Sequence, residues 1–86
     1  MWFIEDELHA ELQNGVFLTR QDAIAELRQR AALSWDVAPN LPPCTSWRTC
    51  GRRYELIESD GPNEKSRVLA LEISAEGARW YLPSDE

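Results

Sequence analysis

Basic side chains, histidine and long apolar runs are scarce in this chain of 86 residues. Nine lysines and arginines stand against fifteen carboxylates, so the formal net charge is -6. Nucleic-acid binding depends on neutralising phosphates with basic side chains, so this balance predicts no nucleic-acid partner. No apolar run approaches the roughly 20 residues of a membrane span, and we expect no membrane association. Residues 1–7 turn acidic without a basic segment, which is unlike a secretory signal and predicts a cytoplasmic protein.

The motifs of the common enzyme classes are also absent. The sequence has no glycine-rich phosphate loop, no G-x-S-x-G nucleophile turn and no H-E-x-x-H metal motif. These absences leave enzymatic activity open but favour a protein without it. They also give no reason to expect a cofactor or a bound metal ion.

One helix is clearly indicated, over residues 20–33. Thr19 has the side chain of a good N-cap, and an acidic residue follows it three positions later. Glu26 and Arg30 are spaced to form an ion pair along the helix. An apolar stripe at helical spacing predicts the face that packs on the core, and its members are Ile24, Leu27 and Ala31.

Short β-prone segments lie on both sides of this helix. Before it, residues 2–4 and 16–18 are apolar and are separated by Asn14-Gly15, a strong hairpin turn signal. Between them, residues 5–13 either extend the first strand irregularly or form one helical turn. After the helix, alternating patterns and intervening turns predict three strands, over 53–58, 68–73 and 78–82.

These elements predict an α+β fold in the order β(β)αβββ. We expect a small antiparallel sheet of about four or five strands with the main helix packed on one face. At this length the chain has room for one hydrophobic core, so we expect a single domain over residues 1–86. The tail 83–86 is expected to fray.

A long loop over residues 34–51 separates the helix from the later strands. It holds three prolines and both cysteines, and structureless loops of this length are usually functional or disordered. A basic and aromatic cluster at its end predicts binding of a protein or a small anionic ligand. The cluster consists of Trp47, Arg48, Arg52 and Arg53. The alternative is that these arginines simply pair with nearby carboxylates.

The two cysteines, Cys44 and Cys50, allow several interpretations. Their C-x5-C spacing differs from the C-x2-C of zinc knuckles and of thioredoxin-type redox pairs. A structural zinc site needs four ligands, and His9 is the only further soft candidate. Reduced thiols without chemistry, a disulfide or redox pair, a metal site and a nucleophile all stay open. We expect the pair to lie close in space and to be reduced in the cell.

Two other groups of polar residues have simpler interpretations. His9 is the only histidine and stands in an acidic stretch, where we expect a solvated side chain rather than a general base. The carboxylates of that stretch are likewise expected to form a solvated face, and they are Glu5, Asp6, Glu7 and Glu11.

The run P-C-T-S-W-R-T-C-G-R-R-Y-E over residues 43–55 resembles the signature of a family of small uncharacterised bacterial proteins. Segments 25–28 and 71–80 share the resemblance, which covers most of the chain. It implies a bacterial source and brings no activity with it.

Three functions are therefore ranked. A non-catalytic module that binds a protein or small anion through the loop comes first. A redox- or metal-responsive protein that uses Cys44 and Cys50 is second. A small hydrolase or nuclease is third, and the oligomeric state stays open.

Overall fold

The computed structural model describes residues 1–43 and 50–82. These residues form one helix and a five-stranded antiparallel sheet, namely β1 (Trp2–Asp6), β2 (Glu11–Leu12), α1 (Arg20–Ala31), β3 (Arg52–Asp60), β4 (Asn63–Ser74) and β5 (Gly77–Trp80). The strand order in the sheet is β2-β1-β3-β4-β5. The predicted α+β class, with an antiparallel sheet and one main helix, is confirmed. Within the described ranges, no helix has the length and apolar character that crossing a membrane requires.

Helix α1 begins as the sequence predicts. The Thr19 hydroxyl accepts a hydrogen bond from the Asp22 backbone N–H at 3.1 Å, which satisfies one of the helix's unpaired donors. Glu26 and Arg30 form the expected ion pair, at 2.8 Å. The helix ends at Ala31, two residues earlier than predicted.

The side chain of Asn40 supplies hydrogen bonds to the carbonyl groups at the end of α1. Its buried side-chain nitrogen lies 2.8 Å from the Arg30 carbonyl and 3.3 Å from the carbonyls of Leu33 and Ser34. Its side-chain oxygen accepts the Tyr54 hydroxyl at 3.0 Å. One loop residue therefore ties the end of α1 to the sheet, and its amide N–H groups replace donors that water would otherwise supply to these carbonyls.

The core lies between α1 and one face of the sheet. The helix buries Ala23, Ile24 and Leu27, and the half-buried Ala31 packs beside them. This is the face predicted from the apolar stripe. The sheet contributes the other members of the buried cluster, which are Ile4, Tyr54, Leu56, Ala70, Leu71 and Ile73.

The first hairpin differs from the prediction. The chain reverses at residues 7–10, not at Asn14-Gly15, and the second strand is β2 rather than residues 16–18. Of the predicted segment 16–18, only Phe17 pairs with β1, through a single bridge to Trp2. The earlier reversal has a local cause, because the Asp6 carboxylate accepts the Leu8 backbone N–H at 3.2 Å and so stabilises the turn.

The hairpin of β3 and β4 is longer than predicted. The turn that joins them lies at Gly61 and Pro62 as expected, but β4 already begins at Asn63. Its first residues are polar and show no apolar alternation. On the solvent side, Arg67 links three strands. Its guanidinium bonds the carboxylates of Glu64 in β4, Glu55 in β3 and Glu5 in β1.

Candidate functional site

The last residue of β1, Asp6, is a buried carboxylate. Asp6 is 0 % exposed and accepts four hydrogen bonds. Its Oδ1 lies 3.2 Å from the backbone nitrogen of Leu8 and 3.0 Å from that of Arg53. Its Oδ2 lies 2.6 Å from His9 Nδ1 and 3.0 Å from Arg52 Nη1. A buried charge persists only when it is paired and hydrogen-bonded, and Asp6 meets both conditions.

These contacts fix the orientation of the His9 ring. Because three other N–H groups point at Asp6, its carboxylate acts as an acceptor, and His9 Nδ1 must carry the shared hydrogen. The other ring nitrogen, Nε2, then faces Cys50 Sγ at 3.3 Å. The His9 side chain is 18 % exposed and Cys50 is 9 % exposed. A sulfur, an imidazole and a buried carboxylate therefore stand in series, as in sites that activate a cysteine.

The expectation that Asp6 and His9 are solvated is wrong. His9 belongs to the turn after β1, and 41 residues separate it from Cys50, so no local motif reveals the contact. One signal was present in the sequence. Side chains two apart in a strand share a face, and Asp6 follows the apolar Ile4 at that spacing. The alternation thus placed a carboxylate at the edge of the core.

Arg52 connects the turn to the long loop. Besides Asp6, its guanidinium reaches Glu11 Oε1 at 2.6 Å and the backbone carbonyls of Leu41 at 2.8 Å and Asn40 at 3.3 Å. Burial is the largest single influence on the pKa of Arg52 and would lower it, but the hydrogen bonds and charge attraction of Glu11 and Asp6, with a contribution from Tyr54, together outweigh burial and raise the pKa. The hydrogen bond with Arg52 lowers the pKa of Glu11. All three guanidinium nitrogens therefore have protein acceptors.

Arg53 lies on the opposite face of β3 and is paired as well. Its guanidinium contacts Glu7 at 2.7 Å and Glu72 at 3.3 Å, and the hydrogen bond with Glu7 is the main cause of its raised pKa. The other members of the predicted binding cluster, Trp47 and Arg48, lie outside the described residues. The loop's role in binding a protein or an anion stays a prediction.

Cys50 is disulfide-bonded in the structure. The chain's one other cysteine, Cys44, lies outside the described residues, so the predicted pairing of the two cysteines stays a prediction. Around Cys50 the surface forms a cavity of about 370 Å³. That volume falls at the lower end of the range for small-molecule sites. Its lining comes from the first turn, the start of β3 and the turn between β4 and β5, through Leu8, Cys50, Gly51, Arg52, Arg53, Glu72, Ile73, Ser74, Ala75 and Glu76.

A metal centre finds no support in this part of the molecule. Across residues 1–43 and 50–82, no three or more His, Cys, Asp and Glu side chains are grouped so that they could hold a metal ion. Comparison of the chain with protein-family models, curated proteins and solved structures gives no match. The resemblance of residues 43–55 to a family signature stays a prediction.

Proposed function

We propose that this protein is a thiol–disulfide redox protein whose reactive sulfur is Cys50. The contact between His9 Nε2 and Cys50 Sγ carries the proposal, because Asp6 holds the opposite side of the same ring. An imidazole held in this orientation can stabilise the Cys50 thiolate that forms when the disulfide is reduced, and can remove the proton of the thiol when it reacts again. The second sulfur in the proposal is that of Cys44.

Reduction of the protein begins with an external thiolate. It attacks the sulfur that is bonded to Cys50, a new S–S bond forms, and the old bond breaks with its electron pair on Cys50 Sγ. His9, when protonated, stabilises this thiolate or gives it a proton. A second external thiol then attacks the mixed disulfide. Two thiols have become one disulfide, and the protein has taken up two electrons and two protons.

Oxidation of the protein uses the same groups, but the mixed disulfide with the substrate now forms on Cys50, and the second protein thiol then attacks Cys50 Sγ to close the protein disulfide. His9 accepts the Cys50 thiol proton at Nε2, the ring nitrogen that faces Cys50 Sγ while Nδ1 donates to Asp6. The resulting thiolate attacks a disulfide substrate. Asp6 touches no reacting atom and acts as a positioning residue, which sets the tautomer and the direction of the ring.

The described residues support this function over the other two. The guanidinium groups of Arg52 and Arg53 are already bonded to carboxylates, so an anionic ligand would have to compete with them. The disulfide at Cys50 is itself one of the two states of a redox protein, whereas a hydrolase that used Cys50 as its nucleophile has no role for it.

Replacing His9 should slow thiol–disulfide exchange. We expect His9→Gln, in the reduced protein, to react with the neutral hydroxyethyl disulfide at least about tenfold more slowly than wild type at pH 7. The difference should shrink near pH 9.5, where a thiol ionises without assistance. Rapid acid quenching and thiol counting by mass spectrometry give the rates.

Glu7→Gln is the matched control for this experiment. Glu7 lies in the same turn and forms an ion pair with Arg53 on the other face of β3 from Arg52. Its rate should stay within about twofold of wild type, since its ion pair is partly exposed and worth little. Equal rates for wild type and His9→Gln at both pH values would refute the proposed role of His9.

A further inference from the structure

We infer that the cavity beside Cys50 selects cationic disulfide substrates over anionic ones. This inference rests on the proposed redox function, because it concerns the substrate that reaches the same sulfur. The volume of about 370 Å³ suits a small disulfide or a single disulfide-bearing side chain rather than a large ligand.

The charges around the cavity are unequal. Two guanidinium groups of the lining, Arg52 and Arg53, are each bonded to two carboxylates. The lining itself holds two carboxylates, Glu72 and Glu76, and three further carboxylates behind it, Asp6, Glu7 and Glu11, bond the same guanidinium groups. These five carboxylates and two guanidinium groups have a formal excess of three negative charges, which is part of the chain's net charge of -6.

Glu72 and Glu76 are the specificity residues in this inference, because both line the cavity itself. Glu72 shares its carboxylate between Arg53 at 3.3 Å and the Tyr81 hydroxyl at 3.3 Å. Glu76 is exposed in the turn before β5, and its carboxylate has no hydrogen bond or ion pair within the described part of the chain. An ammonium group that enters the cavity would gain Glu76 as a partner without displacing an existing one.

The chemical steps of the exchange are the same for cationic, neutral and anionic substrates. The Cys50 thiolate attacks one sulfur of the substrate disulfide and forms a mixed disulfide, and a substrate thiolate leaves and takes up a proton. The second protein thiol then attacks Cys50 Sγ and releases the second substrate thiol. The protein dithiol is oxidised to a disulfide while the substrate disulfide is reduced to two thiols.

Three disulfides of similar size test the selectivity on the reduced, full-length protein at pH 7. They are cystamine, which is cationic, hydroxyethyl disulfide, which is neutral, and dithiodipropionate, which is anionic. Each rate is divided by the rate of the same reagent with a short neutral peptide that contains one cysteine. At 10 mM salt, cystamine should exceed dithiodipropionate by about tenfold, and at 1 M salt by less than about twofold, because the Debye length falls to about 3 Å.

Glu76→Gln and Glu72→Gln should each lower the ratio of cationic to anionic rates by about twofold at low salt. Asp60→Asn is the matched control, since it removes the same charge from an exposed residue at the end of β3, outside the cavity lining. Equal normalised rates for all three reagents would overturn the selectivity. The redox function would stand in that case if the rate with hydroxyethyl disulfide still fell in His9→Gln. Loss of that His9 dependence would overturn both.

Discussion

Asp6→Asn should lower the free energy of unfolding by about 3 to 5 kcal/mol, the usual result of removing one partner from a buried ion pair. The substitution keeps the shape of the side chain but removes the charge that faces Arg52 at 3.0 Å. It also places an amide N–H₂ where the carboxylate accepts four hydrogen bonds, so at least one buried donor loses its acceptor. Urea denaturation monitored by tryptophan fluorescence measures the loss.

Glu7→Gln provides the comparison, because it removes the same charge one residue later. Its partner Arg53 is 39 % exposed, and an exposed pair of this kind contributes less than about 1 kcal/mol. Both variants should be measured in the same redox state. Similar losses for the two variants would mean that Asp6 does not hold the turn and the start of β3 together.

Gly51→Ala should destabilise the protein by about 3 kcal/mol or more, at or beyond the upper end of the usual overpacking penalty. A Cβ on Gly51 would lie 2.2 Å from the Ile73 carbonyl oxygen and 3.2 Å from the Ser74 Cα. Both are backbone atoms of β4, so no side chain can turn away to make room. The start of β3 would have to move away from β4, and Cys50 would move with it.

Gly61→Ala is the control for this prediction. A Cβ on Gly61 would meet no atom within 4 Å, but its φ of +65° is unfavourable for alanine. The expected loss there is about 1 to 2 kcal/mol. If Gly51→Ala were no less stable than Gly61→Ala, the close approach of residue 51 to β4 would not limit the fold.

Local patterns predicted much of the fold because their causes are local. Thr19 caps α1 with its own hydroxyl, and the stripe through Leu27 faces the core at the spacing that the helix imposes. The first hairpin was misplaced because Asn14-Gly15 is a strong turn signal in isolation. The buried carboxylate of Asp6 stabilises an earlier turn instead, and its burial depends on the whole sheet.

The candidate site was harder to predict because its contacts are long-range. The sequence drew attention to Cys50 and Arg52 through the composition of the loop, but it did not indicate that His9 contacts Cys50 or that Asp6 contacts Arg52. The structure supplies those partners from β1 and the turn after it, where Asp6 and His9 stand. The packing of Asn40 under the end of α1 depends in the same way on a residue 14 positions later, Tyr54.

The most direct test of the proposed site is the pH dependence of Cys50 alkylation in the fully reduced protein. Iodoacetamide is neutral and reacts with the thiolate, and peptide mapping by mass spectrometry separates Cys50 from Cys44. If His9 and Cys50 share a proton, Cys50 should still be alkylated at pH 6 at more than about a tenth of its rate at pH 9, and His9→Gln should abolish that reactivity. An unassisted thiol with a pKa near 8.5 would lose about two orders of magnitude over the same range. If wild-type Cys50 followed that ordinary profile, His9 would not activate it and the redox proposal would fail.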